Sequence, residues 1–255
     1  MIKQKKRLGQ VFLKNHVVIL DILRFADIQE KDNVLEIGPG KGALTKELLK
    51  RKTNLIVVEK DPEWANYLKE KYPELKIHID DVRDIYSKVI KEFKKSFKLV
   101  ANIPYYLTSF LIQLIVTNKE RPKICILMIQ KEVAIRITER DKKSSLLSVI
   151  TNFYADIKYL KTVPKADFKP IPKVDSALIE IIPKKYNKNI EENFLKIVKQ
   201  GFLHKRKQLF KNLKQIIKED NLKEIFSKLN IPLDIRAESL STQTWIEITK
   251  QAKLL

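Results

Sequence analysis

The string Asn102-Ile103-Pro104-Tyr105 holds the side chains of this protein best suited to act on an amine. The exocyclic amine of an adenine ring is a poor nucleophile, because its lone pair is delocalised into the ring. The side-chain oxygen of Asn102 and the backbone carbonyl of Ile103 or Pro104 can accept both of its N–H bonds. That draws the nitrogen toward tetrahedral geometry and exposes the lone pair to an electrophile. Pro104 shapes the loop, and Tyr105 offers a ring on which an extruded base can stack. A second string prepares a binding site. The chain has only 5 glycines, and three of them, Gly38, Gly40 and Gly42, fall in Glu36-Ile37-Gly38-Pro39-Gly40-Lys41-Gly42. Glycines there let the backbone turn sharply and let a ligand touch it with no Cβ in the way. A dinucleotide loop would place its third Gly at position 43, which is Ala43, and Pro39 removes a donor that a pyrophosphate uses. Glu59 and Asp81 follow in turn, the first suited to a ribose diol and the second to an adenine amine. A nucleoside without phosphates fits this loop better than a dinucleotide.

These residues must be held at the ends of strands, and the apolar pattern supplies them. Asn33–Ile37 reads as a strand running into the glycine loop and a helix over Ala43–Lys50. Leu55–Glu59, Leu75–Ile79, Lys98–Ala101 and Ile124–Ile129 read as further strands, with helices over Trp64–Lys71, Ser109–Thr117 and from Glu132. Fully apolar strands separated by helices indicate an α/β, doubly wound sheet covered on both faces. Tyr154–Val163 and Ala177–Ile182 read as a closing hairpin joined by a Pro-containing loop. After Pro183 the pattern becomes helical, with Phe194, Ile197, Val198, Phe202, Leu209, Leu213 and Ile217 as an apolar stripe. Residues 1–183 are therefore expected to form one domain and 184–255 a small all-helical one.

Composition narrows the class. Lys and Arg number 51 against 31 acids, a net charge of +20 that makes a polyanion the first partner to consider. Both parts are basic, with 16 bases and 8 acids in residues 184–255 alone. No apolar run approaches the roughly 18 residues that span a bilayer, and Met1–Arg7 leads into no signal-peptide core. The expectation is a cytoplasmic protein with no membrane partner. The single cysteine, Cys125, sits in an apolar run and reads as a buried hydrophobe, which excludes a disulfide scaffold. Three scattered histidines give no metal-ligand spacing.

Seven motifs in order, running nearly end to end, resemble the KsgA-type small-subunit rRNA adenine dimethyltransferase family. They are Leu8–Leu13, Glu36–Thr45, Asn102–Tyr105, Gln130–Val133, Phe168–Ser176, His204–Leu213 and Arg236–Ser241. The resemblance implies a Rossmann-like class I methyltransferase sheet and S-adenosyl-L-methionine as cofactor. It implies transfer to the N6 amines of two adjacent adenines in a hairpin near the 3′ end of small-subunit (16S) rRNA, free or in a pre-small-subunit ribosomal particle. It assigns Gln10, Val11, Leu13, Gly38, Gly40, Glu59, Lys60, Asp81, Val82 and Asn102 to the cofactor. It assigns catalysis to Asn102, Pro104, Tyr105 and Phe168, the last stacking on the target base opposite Tyr105. Direct displacement at a sulfonium methyl needs alignment rather than a general base. Two positions depart from the family pattern. Val11 stands where an Asn is usual, so it can only pack or use its backbone. Tyr106 stands where Asn or Gln is usual, which bears on how the adenines are accommodated.

Three basic clusters are expected to meet RNA phosphates: Lys5, Lys6 and Arg7; Lys142 and Lys143; and Lys205, Arg206, Lys207 and Lys211 on a helix of the second domain. The chain is expected to act as a monomer. Two alternatives stand beside this reading, a large-subunit rRNA methyltransferase of the antibiotic-resistance type and a non-catalytic RNA-binding assembly factor on the same fold.

Overall fold

The structure, a computed structural model, describes residues 11–138 and 143–255. Five parallel strands form its centre: β2 (Asn33–Ile37), β3 (Asn54–Glu59), β4 (Lys76–Ile79), β5 (Lys98–Asn102) and β6 (Cys125–Gln130). β9 (Ser176–Pro183) adds to β6 in antiparallel register, with Cys125 opposite Ile181 and Gln130 opposite Ser176. β7 (Ala155–Val163) lies at the edge, giving the order β4-β3-β2-β5-β6-β9-β7. The sheet is the expected one. Its central strands carry Val34, Leu35, Val57, Leu99, Val100 and Ile126, all fully buried, because both faces are covered. Cys125 is also fully buried.

Between the strands run α1 (His16–Phe25), α2 (Ala43–Lys50), α3 (Pro62–Lys71), α4 (Val82–Val89), α5 (Thr108–Thr117) and α6 (Lys131–Ile137). α4 is a further helix, amphipathic through buried Val82, Tyr86 and Val89, and its start is fixed by Asp81, whose side chain accepts from Arg83 N. The chain moves outward from β2 to β3 and β4, then returns to the other side of β2 for β5 and β6. Ligands in such sheets bind at this reversal, beyond the carboxyl ends of the strands. A second, two-stranded sheet forms there. β1 (Phe12–Leu13) pairs antiparallel with β8 (Phe168–Lys169), and Lys14 N donates to Asp167 O at 2.8 Å. Two motifs from distant parts of the sequence are thereby tied together.

The chain divides into two compact units, and the boundary near Pro183 needs one correction. The first unit is Met1–Ala134 with Asp156–Pro183, and the second is Ile135–Ala155 with Lys184–Leu255. The segment that changes sides includes α7 (Leu146–Tyr154). Its Phe153 ring stacks on Phe194 at 4.1 Å between centroids, and Tyr154 OH donates to Glu191 Oε1 at 2.8 Å. Contiguity along the chain hid this, because the aromatic partners lie beyond β9. The rest of the second unit is helical: α8 (Glu191–Gly201), α9 (Leu209–Leu213), α10 (Glu219–Lys228) and α11 (Thr242–Gln251). The whole apolar stripe from Phe194 to Ile217 is buried in it. Among the described residues, no helix is long and apolar enough to cross a membrane.

Candidate active site

A cavity of about 230 Å³ opens at the strand reversal, lined by the glycine turn, the ends of β3 and β5, and β1. Asn102 closes β5. Its Nδ2 donates to the backbone carbonyl of Val11 at 3.3 Å. This is the backbone use left open to Val11 once its side chain had nothing to donate. With the amide pinned by its nitrogen, Oδ1 is the free acceptor, and no described residue donates to it. The two candidate carbonyls also separate. Pro104 O already accepts from Leu107 N at 2.9 Å, closing the turn over Tyr105–Leu107, whereas no described residue donates to Ile103 O. The two acceptors of this loop to which no described residue donates are therefore Asn102 Oδ1 and Ile103 O. Tyr105 is half-buried, and its hydroxyl pairs with Ser176 Oγ at 2.9 Å. Burial raises its phenol above the ordinary value, so it stays neutral. The Ser176 anchor was not evident in the sequence, although it ends the Phe168–Ser176 motif.

The glycine turn is built for close approach. Gly38 and Gly40 adopt φ of 68° and 52°, a region L side chains rarely enter. A Cβ on Gly40 would lie 2.8 Å from the Phe12 ring, and one on Gly38 would meet nothing nearer than Asn102 O at 3.9 Å. So Gly40 makes room for Phe12 of β1, and Gly38 leaves main chain bare beside Asn102. Phe12 also packs edge-on against Trp64, and Lys41 Nζ sits 4.7 Å above its ring.

Two carboxylates brace the turn. Glu59 Oε2 accepts from Gly40 N at 3.1 Å and Oε1 from Asp61 N at 2.8 Å. Each oxygen keeps a lone pair for a diol. Burial raises Glu59 above the ordinary carboxylate value, and the two backbone donors pull against that. Glu36, just before the turn, was not assigned a role from the sequence. It accepts from Thr45 Oγ1 at 2.7 Å, and burial pushes its carboxyl up to about 8.

Glu36 gives a pH prediction. Its unfolded value is 4.5 and its folded value about 8, so between them the unfolded chain binds fewer protons. Stability from this group is therefore unaffected below 4.5, declines as pH rises to about 8, and stays reduced above that. Glu36→Gln is expected to remove the decline, whose slope is at most about 1.4 kcal/mol per pH unit. Denaturant unfolding of the ligand-free protein from pH 5 to 8 checks this. Equal pH slopes for variant and wild type would show that Glu36 ionises normally.

Asp81 is already crowded. Oδ1 accepts from Arg83 N and Nε, both at 3.0 Å; Oδ2 accepts from Arg83 Nη2 at 2.6 Å and Lys60 Nζ at 2.7 Å. Arg83 first, then Lys60, holds this carboxyl well below the usual range. Lys60, expected at the cofactor, is committed to Asp81. Any further donor would have to share Asp81 with these or displace one. Val82, buried beside it, is the first residue of α4, so its N–H has no intrahelical carbonyl.

Other expected residues fall elsewhere. Leu13 lines the cavity, but Phe168 is fully buried in the hydrophobic core with Val163 and Leu178. As it stands the ring is packed in the core, and a base could reach it only after that packing opened. Of the two tyrosines it is Tyr106, not Tyr105, that lines the cavity, together with Phe12. Lys205, Arg206 and Lys207 are not helical. They form an exposed turn between α8 and α9, closed by Lys207 N on His204 O, and only Lys211 lies on α9. Buried Asn212 holds that turn by donating to Gly201 O and His204 O. Lys143 pairs with Glu238 at 3.2 Å. Lys5, Lys6, Arg7, Gln10 and Lys142 lie outside the described residues. No group of three His, Cys, Asp or Glu side chains among the described residues is placed to hold a metal.

Comparison with known proteins completes the picture. The family model for ribosomal RNA adenine dimethylase matches residues 1–253. The ribosomal RNA small subunit methyltransferase A of Fusobacterium nucleatum subsp. nucleatum is 38% identical over 256 residues, covering 97% of each chain. The protein of the same name from Acaryochloris marina is 34% identical over 263 residues, covering 98% of this chain and 97% of that one. Among solved structures, the 23S rRNA methyltransferase ErmE aligns with a TM-score of 0.75 at 23% identity, over 94% of this chain and 98% of its own. A dimethyladenosine transferase from Plasmodium falciparum aligns at 0.72 and 24% identity, with the same coverage. These two likenesses show a shared Rossmann-like methyltransferase fold. The family match over almost the whole length, and relatives well above 30% identical across it, show that this chain belongs to the ribosomal RNA adenine dimethylase family.

Proposed function

We propose that this protein dimethylates the N6 amines of two adjacent adenines in a hairpin near the 3′ end of small-subunit rRNA, with S-adenosyl-L-methionine as donor. The observation that carries the reading is the pair of open acceptors, Asn102 Oδ1 and Ile103 O, beside the bare backbone of Gly38 at the strand reversal. The names of the relatives support the choice of small-subunit RNA. The donor set also fits the cofactor: the Gly38 main chain leaves room no Cβ could, Glu59 retains acceptors for a ribose diol, and Val82 N–H and Asp81 edge the site for an adenine. When bound, the cofactor supplies a sulfonium methyl as electrophile.

The chain's own contribution is alignment and hydrogen bonding. Val11 O fixes the Asn102 amide, so Oδ1 meets the amine without first reorienting. In the first transfer Ile103 O takes the second N–H. The methylated nitrogen then gives one proton to water, and the second transfer starts from a single N–H held by Oδ1. These bonds strengthen as the nitrogen becomes tetrahedral and its protons more acidic, which favours the transition state over the ground state. Tyr105, neutral and anchored to Ser176, flanks the loop.

Replacing Glu59 with glutamine removes a charged acceptor and turns an NH₂ or a weaker oxygen toward Gly40 N. Cofactor affinity is expected to fall by roughly 10- to 150-fold, the equivalent of about 1.5–3 kcal/mol, with RNA affinity unaltered. Calorimetric titration with the cofactor is the measurement. Unaltered cofactor affinity would mean that Glu59 only braces the turn.

The function itself is tested with labelled cofactor and purified small- and large-subunit rRNA, naked and in particles. Mass spectrometry should find dimethyladenosine at two neighbouring positions of small-subunit rRNA. Label on the large-subunit RNA alone, or none at all, would overturn the reading.

A further inference from the structure

The loop that carries Asn102 continues into an aromatic surface. Tyr106 lines the cavity yet is 58% exposed. The turn over Tyr105–Leu107 runs directly into α5, so Phe110, four residues on, rises on the same side and is 46% exposed. The inner side of this element is apolar and buried, through Leu107, Leu111, Ile112 and Ile115. Its outer side, beyond the two rings, is Ser109, Gln113 and Thr117. No charged residue occurs from Asn102 to Asn118, in a chain where 32% of residues are charged. Among the described residues no other ring stacks on Tyr106 or Phe110. Arg83 is tied through Nε and Nη2 to Asp81, which lines the same cavity as Tyr106. Of the Arg83 side chain, 44% remains exposed.

An uncharged face with two open rings is suited to bases and not to phosphates. An adenine that reacts in this cavity has to leave its stack, and the nucleotide next to it then loses a stacking partner. We propose that Tyr106 and Phe110 form a stacking platform for the unpaired nucleotide adjoining the target adenine, with the exposed part of Arg83 meeting the phosphate between the two. Arg83 supplies the charge complementarity that a strand entering the cavity requires. The inference rests on the proposed reaction and deepens it. Where two adjacent adenines are modified, the platform holds one while the other occupies the loop.

The test uses an rRNA hairpin with 2-aminopurine in place of the nucleotide beside the target adenine. Its fluorescence is quenched when the base stacks on a ring. Wild type should quench it on binding. Tyr106→Leu should lose most of the quenching and raise KM for the hairpin roughly five- to 150-fold, the range expected for one base–ring stack. The loss should appear in KM more than in kcat. Tyr106→Phe should restore both readouts, and Phe110→Leu should show the same two losses at smaller size. Wild-type quenching and KM in Tyr106→Leu would overturn the platform, as would a KM rise accompanied by an equal loss of cofactor affinity. Absence of methyl transfer by wild type on unsubstituted hairpin would instead overturn the underlying reaction, and the platform with it.

Discussion

Asn102→Ala is expected to lower methyl transfer about 100-fold or more while RNA affinity stays within a few-fold of wild type. In the proposed mechanism Asn102 acts on the amine as it becomes tetrahedral, and removing one such preorganised polar contact costs about 2.7–4 kcal/mol in the transition state. The structure sharpens the expectation. Oδ1 is aligned because Nδ2 is held by Val11 O, so alanine removes both the acceptor and the tie to Val11, the residue before β1. Asn102→Asp is expected to rescue little, because a carboxylate oxygen would then face the Val11 carbonyl. Single-turnover transfer of labelled methyl, alongside an RNA titration, gives both numbers. More than a tenth of wild-type turnover in the alanine variant would remove Asn102 from the reaction.

The second large effect is expected in the basic turn. Changing Lys205, Arg206, Lys207 and Lys211 together to glutamine should weaken RNA binding and flatten its salt dependence. Each lost phosphate contact takes roughly 0.7–0.9 from the slope of log affinity against log salt. Three of these side chains sit on successive exposed residues of a turn, not on one face of a helix. The turn is held by Asn212 through main-chain carbonyls, so the four changes should leave the fold and the melting temperature alone. Cofactor affinity should also be unaltered, because these residues do no chemistry. Parallel salt slopes would assign the phosphate contacts to other basic residues, Lys143 first among the described ones.

Much of the first unit was readable because its signals are local. Val34-Leu35, Ile56-Val57 and Ile126-Leu127 are apolar runs that only a doubly covered strand accommodates. The glycines, absent from most of the chain, mark the turn that follows the first of them. Glu59, Asp81 and Asn102 then fall at strand ends by simple counting. What was not readable depends on contacts between distant segments. The move of α7 into the second unit depends on Phe194 and Tyr186, and the burial of Phe168 depends on β1. The saturation of Asp81 depends on the reach of Lys60 and Arg83 side chains, which spacing does not convey. The basic turn was read as helix because Leu209 and Leu213 continue the apolar stripe, although the hydrogen-bonded turn interrupts the helix between Gly201 and Leu209.

The pairing of β1 with β8 imposes an order on maturation. During synthesis β2 to β6, with the glycine turn, all leave the ribosome before Phe168 and Lys169 exist. Only when those two residues arrive can Phe12 and Leu13 be zipped down, and only then is Val11 fixed against Asn102. Pairings between remote segments are the slow ones to form. A nascent chain, or one cut before β8, can thus hold every residue of the strand-end constellation and still lack the part that aims it. The contact that holds the Asn102 amide is among the later ones the first unit can form.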